Sequence, residues 1–153
     1  MTTRLDPYKV APAAIKPLMG LEAYIKECGL EHSLIHLVKV RASQINGCAL
    51  CLDMHTAEAR KDGESEVRLY MLSGWHESTR FTPRERAALA WTESLTLIAQ
   101  THAPDDVYEE LLRNFTEQEA ANLTLAIGAI NVWNRIAIGF RMLPLSERKQ
   151  HAA

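Results

Sequence analysis

The sequence predicts an all-α protein, and three observations carry that prediction. Glycine and proline together number 13 of 153 residues, about 8.5% where an average chain has near 12%. The commonest residues are instead 20 alanines and 19 leucines, the two best helix formers. Finally, Thr82-Pro83-Arg84-Glu85 and Thr116-Glu117-Gln118-Glu119 both have the form of a capping box, in which a hydroxyl and a carboxylate each satisfy an orphan backbone N–H. A length of 153 residues suits one domain that buries roughly 68–70% of its unfolded surface, so residues 1–153 are read as a single domain.

Each element follows from spacing and punctuation. From Ala11 to Cys28, Ile15, Leu18, Met19, Ala23 and Tyr24 fall at helical intervals with Gly29 as the stop, and Pro17 is expected to kink or restart the helix. A second helix should run from Glu31 to Ile45, ended by Asn46-Gly47, although Leu37-Val38-Lys39-Val40 also reads as a short strand. A third runs from Cys48 to Lys61 and stops at Asp62-Gly63; a short one covers Ser65 to Leu72, closed by Ser73-Gly74. Helices follow the two capping boxes, Pro83 taking the permitted first position. Between them Pro104-Asp105-Asp106 opens another, with acidic residues where the helix dipole favours them. The last, Glu117 to about Phe140, is apolar on nearly all sides and is expected to be central or to lie at an interface. The tail Glu147 to Ala153 is polar and expected to fray.

Charge and composition narrow the function. A net charge of −2 and a pI near 6.3 provide no overall positive field for phosphates or anionic lipid. Neither nucleic acid nor a membrane is an expected partner. The first twenty residues lack a signal pattern, and no 18-residue apolar run exists. Three cysteines are too few for a disulfide framework and fit a reducing compartment, so a cytoplasmic location is expected.

The informative segment is Gly47-Cys48-Ala49-Leu50-Cys51-Leu52-Asp53-Met54-His55. On a helix starting near Gly47, Cys48 and Cys51 are i and i+3, with Cα atoms about 5 Å apart, inside the range a disulfide accepts. His55, four residues after Cys51, lies on the same face and can take a thiol proton. A thiol, a second thiol and a base support peroxide reduction: a thiolate attacks the O–O bond, becomes a sulfenic acid, and is resolved as a disulfide that an external dithiol reopens. Physics alone leaves the attacking residue open. The helix terminus favours Cys48, and adjacency to His55 favours Cys51.

The run Arg41-Ala42-Ser43-Gln44-Ile45-Asn46-Gly47-Cys48-Ala49-Leu50-Cys51-Leu52-Asp53-Met54-His55 resembles the signature of the alkylhydroperoxidase D (AhpD)-like branch of the carboxymuconolactone decarboxylase family. Trp75, Phe81, Glu85-Arg86-Ala87-Ala88-Leu89 and Ile130-Asn131-Val132-Trp133-Asn134-Arg135-Ile136 extend the likeness, which covers a core of about 15–144. The resemblance implies an all-α AhpD-like fold assembled as a homo-oligomer, trimer or hexamer, and a peroxidase acting on hydroperoxides in antioxidant defence. It implies Cys51 as the attacking thiol, Cys48 as the resolving one and His55 as the relay base. No bound cofactor is implied; dihydrolipoamide on a lipoyl-carrier protein, or another dithiol donor, would restore the thiols. One departure matters: the family's relay has a Glu twelve residues before the first cysteine, where this chain has His36. His36 can pass protons near neutral pH but supplies no fixed negative charge. Leu50 likewise stands where relatives carry an aromatic residue or His.

Other readings compete. A carboxymuconolactone-type decarboxylase needs no redox pair, and a non-catalytic redox sensor would merely switch the pair between dithiol and disulfide. A zinc site from Cys48, Cys51, His55 and His36 is chemically possible, although structural zinc ligands usually come as two separated pairs. Cys28 reads as a semi-buried hydrophobe, Trp75 as a core residue, and the Asn131–Arg135 cluster as structural hydrogen bonding and subunit packing. Arg80, Arg84, Glu85 and Arg86 read as a solvated face.

Overall fold

The structure, a computed structural model, describes residues 2–148, and among them every regular element is helical. In chain order these are α1 (Pro7–Val10), α2 (Pro12–Glu27), α3 (His32–Asn46), α4 (Ala49–Lys61), α5 (Glu66–Met71), a 3-10 segment (Leu72–Glu77), α6 (Pro83–Thr96), α7 (Ile98–Thr101), α8 (Asp105–Asn114), α9 (Glu117–Gly139) and α10 (Leu145–Arg148). The strand alternative for 37–40 is excluded, because these residues lie inside α3. Pro17 lies inside a continuous α2 and does not restart it. The part of the expected frayed tail beyond residue 148 lies outside the described residues.

α3 is the axis of the fold, packing against α4, α6 and α9. One apolar cluster joins α2, α3, α6, α8 and α9 through Ile25, Val38, Ala88, Leu111, Leu123 and Ile127. A second, built on Leu37, Val40, Ala59, Leu72, Trp75 and Leu89, ties α3 and α4 to the 3-10 segment and α6. A third is small and lies beneath the cysteines, where Ala42 of α3, Leu50 of α4, and Ile130 and Ala137 of α9 pack against Cys48 and Cys51. No helix among the described residues is long and apolar enough to cross a membrane.

Both capping boxes form as expected. Thr82 and Thr116 accept the backbone N–H of Glu85 and Glu119, whose carboxylates accept the N–H of the two threonines. Two expectations are corrected. The short helix ends at Met71 as expected and Gly74 leaves helical geometry, but 3-10 structure carries on to Glu77 where only a turn was expected. The Arg86 guanidinium gathers the freed ends by donating to the carbonyls of Trp75 (2.9 Å), Ser78 (3.0 Å) and His76 (2.8 Å). Nor do the charged residues around it form a solvated face together: Arg80 is exposed as expected, but Arg84, Glu85 and Arg86 are all partly buried. Glu85 pairs with Arg68 at 2.5 Å, and Arg84 pairs with Glu31 and Glu119. Tertiary partners claim these charges because α6 sits among α3, α8 and α9.

Candidate active site

The cysteines sit where two helices nearly touch end to end. Gly47 ends α3 in the left-handed conformation, φ +69°, which a residue without Cβ adopts freely. Its N–H donates to Gln44 O and that of Cys48 donates to Ser43 O, the paired bonds of a Schellman stop. Cys48 then caps α4 directly: its backbone is extended and its Sγ accepts the N–H of Cys51 at 3.4 Å. The sequence placed Cys48 inside the helix; it is the residue just before it. The consequence favours chemistry, since the sulfur faces the first-turn N–H groups, where negative charge is stabilised.

Both thiols are free and buried. Their titrations belong to the pair. The Cys48 thiol is lowered to about 7, chiefly because the Cys51 thiol donates to it, against the cost of burial; the N–H groups of Cys51 and Leu50 and the Asn134 amide assist. Cys51 is correspondingly raised, since it gives its proton to that bond, is buried, and faces the charge on Cys48. One proton therefore leaves this site near neutral pH and the second stays.

His55 lies one turn beyond Cys51 on α4 and is buried. It lines a cavity of about 350 Å³ with Cys51, and the apolar residues Leu50, Met54, Trp133, Ile136 and Met142 form much of the wall. Trp133 is braced there by a stack on Tyr8 and by donating its indole N–H to Glu22 at 3.0 Å. Among the described residues no hydrogen bond joins His55 to either sulfur. Its Nδ1 instead meets Glu58 Oε2 at 2.7 Å, and that bond holds the Glu58 carboxyl below its usual range. Cys48 opens on a different cavity, bordered by Arg4, Ala137, Arg141 and Met142.

His36 is not brought to the sulfurs. Its Nε2 bonds Asp62 Oδ2 at 2.8 Å, its buried Nδ1 has no partner, and it lines a neighbouring cavity of about 530 Å³ with Lys39, Glu58 and Asp62. The fourth ligand that a zinc site requires is thus turned elsewhere, and among the described residues no cluster of three or more His, Cys, Asp or Glu side chains could hold a metal. Leu50 packs in the third apolar cluster, partly buried Cys28 donates its thiol to Ile25 O, and Trp75 is a core residue whose indole donates to Glu93.

Two residues at the site were not legible as such. Glu58 is signalled only by its place three residues after His55. Asn134 belongs to the cluster read as structural, and it is that: fully buried, it accepts from Asn46 at 2.8 Å and donates to Ser43 at 3.1 Å. Its amide also favours the ionised form of both thiols, which spacing along the chain does not disclose.

The model of the carboxymuconolactone decarboxylase family matches residues 11–94, a span that contains both cysteines and His55. The chain belongs to that family. A Bacillus subtilis relative, the uncharacterized protein YdfG, is 42% identical over 138 residues, covering 90% of this chain and 94% of its own. Among solved structures, a protein of unknown function from Agrobacterium tumefaciens, ATU0492, assigned by name to AhpD antioxidant defence, matches with TM-score 0.91 and 51% identity over 94% of this chain and 98% of its own. The AhpD core of an uncharacterized peroxidase-related protein from Ralstonia eutropha JMP134 superposes with TM-score 0.79 at 19% identity, covering 92% and 75%; that likeness is one of fold. This family member is thus AhpD-like, and the expected all-helical architecture holds.

Proposed function

We propose that the protein is a thiol peroxidase that reduces hydroperoxides through Cys51, Cys48 and His55. The observation that carries this reading is the cysteine pair at the N-terminus of α4, where Cys48 Sγ accepts the Cys51 N–H at 3.4 Å and Cys51 lines one cavity with His55. His55 takes one proton from the pair, and the remaining proton passes between the sulfurs. Cys51, which lines that cavity, attacks the terminal peroxide oxygen as thiolate. The O–O bond breaks, Cys51 becomes a sulfenic acid, and the departing alkoxide takes back the proton held by His55. The Cys48 thiol then displaces the sulfenic oxygen as water, leaving a Cys48–Cys51 disulfide. An external dithiol such as dihydrolipoamide, free or on a lipoyl carrier, reduces that disulfide and is itself oxidised. The largely apolar wall suits the alkyl part of an organic hydroperoxide.

Peroxide consumption in the presence of excess dithiol tests the reading. Cys51→Ser should abolish it, while Cys48→Ser should accumulate a sulfenic acid on Cys51 that dimedone traps. Undiminished consumption by Cys51→Ser would sink the assignment.

Assembly into a trimer or hexamer belongs to the same proposal. Leu125, Val132 and Ile138 of α9 remain 39–46% exposed on the helix that also carries Asn134, and a second copy would cover them. Sedimentation equilibrium checks this, and a strictly monomeric mass at micromolar concentration contradicts it.

A further inference from the structure

We propose that Glu58 is the positioning residue for His55, supplying on α4 the carboxylate that position 36 lacks in this chain. The inference rests on the peroxidase reading for its catalytic meaning but on geometry for its substance. His55 and Glu58 are three residues apart on one helix, and Oε2 lies 2.7 Å from Nδ1. His36, by contrast, is committed to Asp62 at 2.8 Å and does not line the cavity that Cys51 and His55 share. Position 36 therefore has neither the charge nor the direction to hold His55.

The chemistry follows from what a carboxylate can do. It accepts hydrogen bonds and donates none, so the His55 proton in this pair is fixed on Nδ1 and Nε2 is left as the acceptor of the neutral ring. When the ring takes a thiol proton, it becomes a cation whose neighbour already carries a negative charge. Glu58 can keep that charge because its side chain is 51% exposed, whereas that of His55 is only 9% exposed. From neighbouring elements, Glu22 of α2 and Lys39 of α3, paired with each other at 2.5 Å, face both Glu58 and His55, and from α4 itself Cys51 faces His55. Lys26, His32, His36, Lys61 and Asp62 line the other cavity with Glu58. Among them, Glu58 alone touches the imidazole.

The test separates hydrogen bond from charge. Glu58→Leu removes both, and Glu58→Gln keeps an acceptor but no charge; neither disturbs the core. In the reduced protein, nitrogen NMR of the imidazoles should show His55 as the Nδ1–H tautomer, lost in Glu58→Leu and kept in Glu58→Gln. Dithiol-dependent peroxide consumption should fall about 10- to 100-fold in both, while His36→Gln stays within about twofold, since that residue holds no part of the relay. An unchanged His55 tautomer in Glu58→Leu, or a His36→Gln effect as large as that of the Glu58 variants, overturns the proposal. If the tautomer responds as expected while the wild type consumes no peroxide with any dithiol, the positioning of His55 stands and the peroxidase reading fails.

Discussion

Asn134 accepts from Asn46, donates to Ser43 and helps both thiols hold negative charge, all with no exposure to solvent. A buried amide in this position stabilises the fold and tunes the chemistry together. Asn134→Ala should cost about 1–3 kcal/mol by leaving Ser43 and Asn46 with fewer partners. It should also move thiol ionisation to higher pH. The wild-type reference is set by Cys48: a thiol lowered to about 7 is protonated and slow below that pH and reactive above it. Alkylation by iodoacetamide should therefore rise through pH 7, well below the range of about 8.5 for an ordinary thiol. In Asn134→Ala the rise should come later, with the urea midpoint lowered. A wild-type rise near 8.5 would contradict the role given to the helix terminus and the pair. Spacing made Cys48, Cys51 and His55 legible because they share one helical turn after another. It could not reveal that Asn134 acts on the same thiols from a distant helix, nor that His36 turns toward Asp62, because both depend on how α3, α4 and α9 pack.

Among the elements, those with strong local signals were read correctly and the others were not. Two capping boxes, Gly29, Gly47 and Pro104 mark helix ends by their own chemistry, and all of those ends are found. The four-residue helices α1 and α7 are too short to display a period and were not anticipated. The 3-10 segment after α5 escaped for a different reason, since the Arg86 bonds that secure it come from α6 and not from its own residues. Gly47 is the element boundary that matters most to function. An added Cβ there would meet no atom within 4 Å, so Gly47→Ala should cost only the left-handed backbone, about 1–2 kcal/mol. Because Gly47 also turns the chain so that Cys48 caps α4, the substitution should raise the pH at which the thiols react. Unfolding and alkylation measured on the same variant check both. A stability loss with an unchanged alkylation profile would mean that the cap survives the strain.

Across the whole molecule, the run read as a solvated charged face is a junction. Arg84 of α6 reaches Glu31 ahead of α3 at 2.8 Å, the Asn114 carbonyl at the end of α8 at 2.6 Å, and Glu119 in the first turn of α9 at 2.7 Å, with its guanidinium 3.9 Å from the Phe115 ring. No local pattern announces this, because the partners lie far from Arg84 in the chain, at Glu31 on one side and at Asn114, Phe115 and Glu119 on the other. Arg84→Met keeps an apolar stem over Phe115 and removes the charge. With Glu31 half exposed and Arg84 and Glu119 nearly a third exposed, screening reduces the pair energies, and a loss of about 1–2 kcal/mol is expected at pH 7. The pH dependence identifies the cause. Hydrogen bonds from Arg84 hold the Glu31 and Glu119 carboxyls below their ordinary range. Groups lowered in the folded state stabilise it above the unfolded value, about 4.3 for Glu, and lose that contribution as pH falls through the folded value. The urea-midpoint gap between wild type and Arg84→Met should therefore be widest near neutral pH and close below about pH 4 as both carboxyls take up protons. A gap that stays constant from neutral to acid would place the whole contribution of Arg84 in its contact with Phe115 and its bond to the Asn114 carbonyl, which do not titrate.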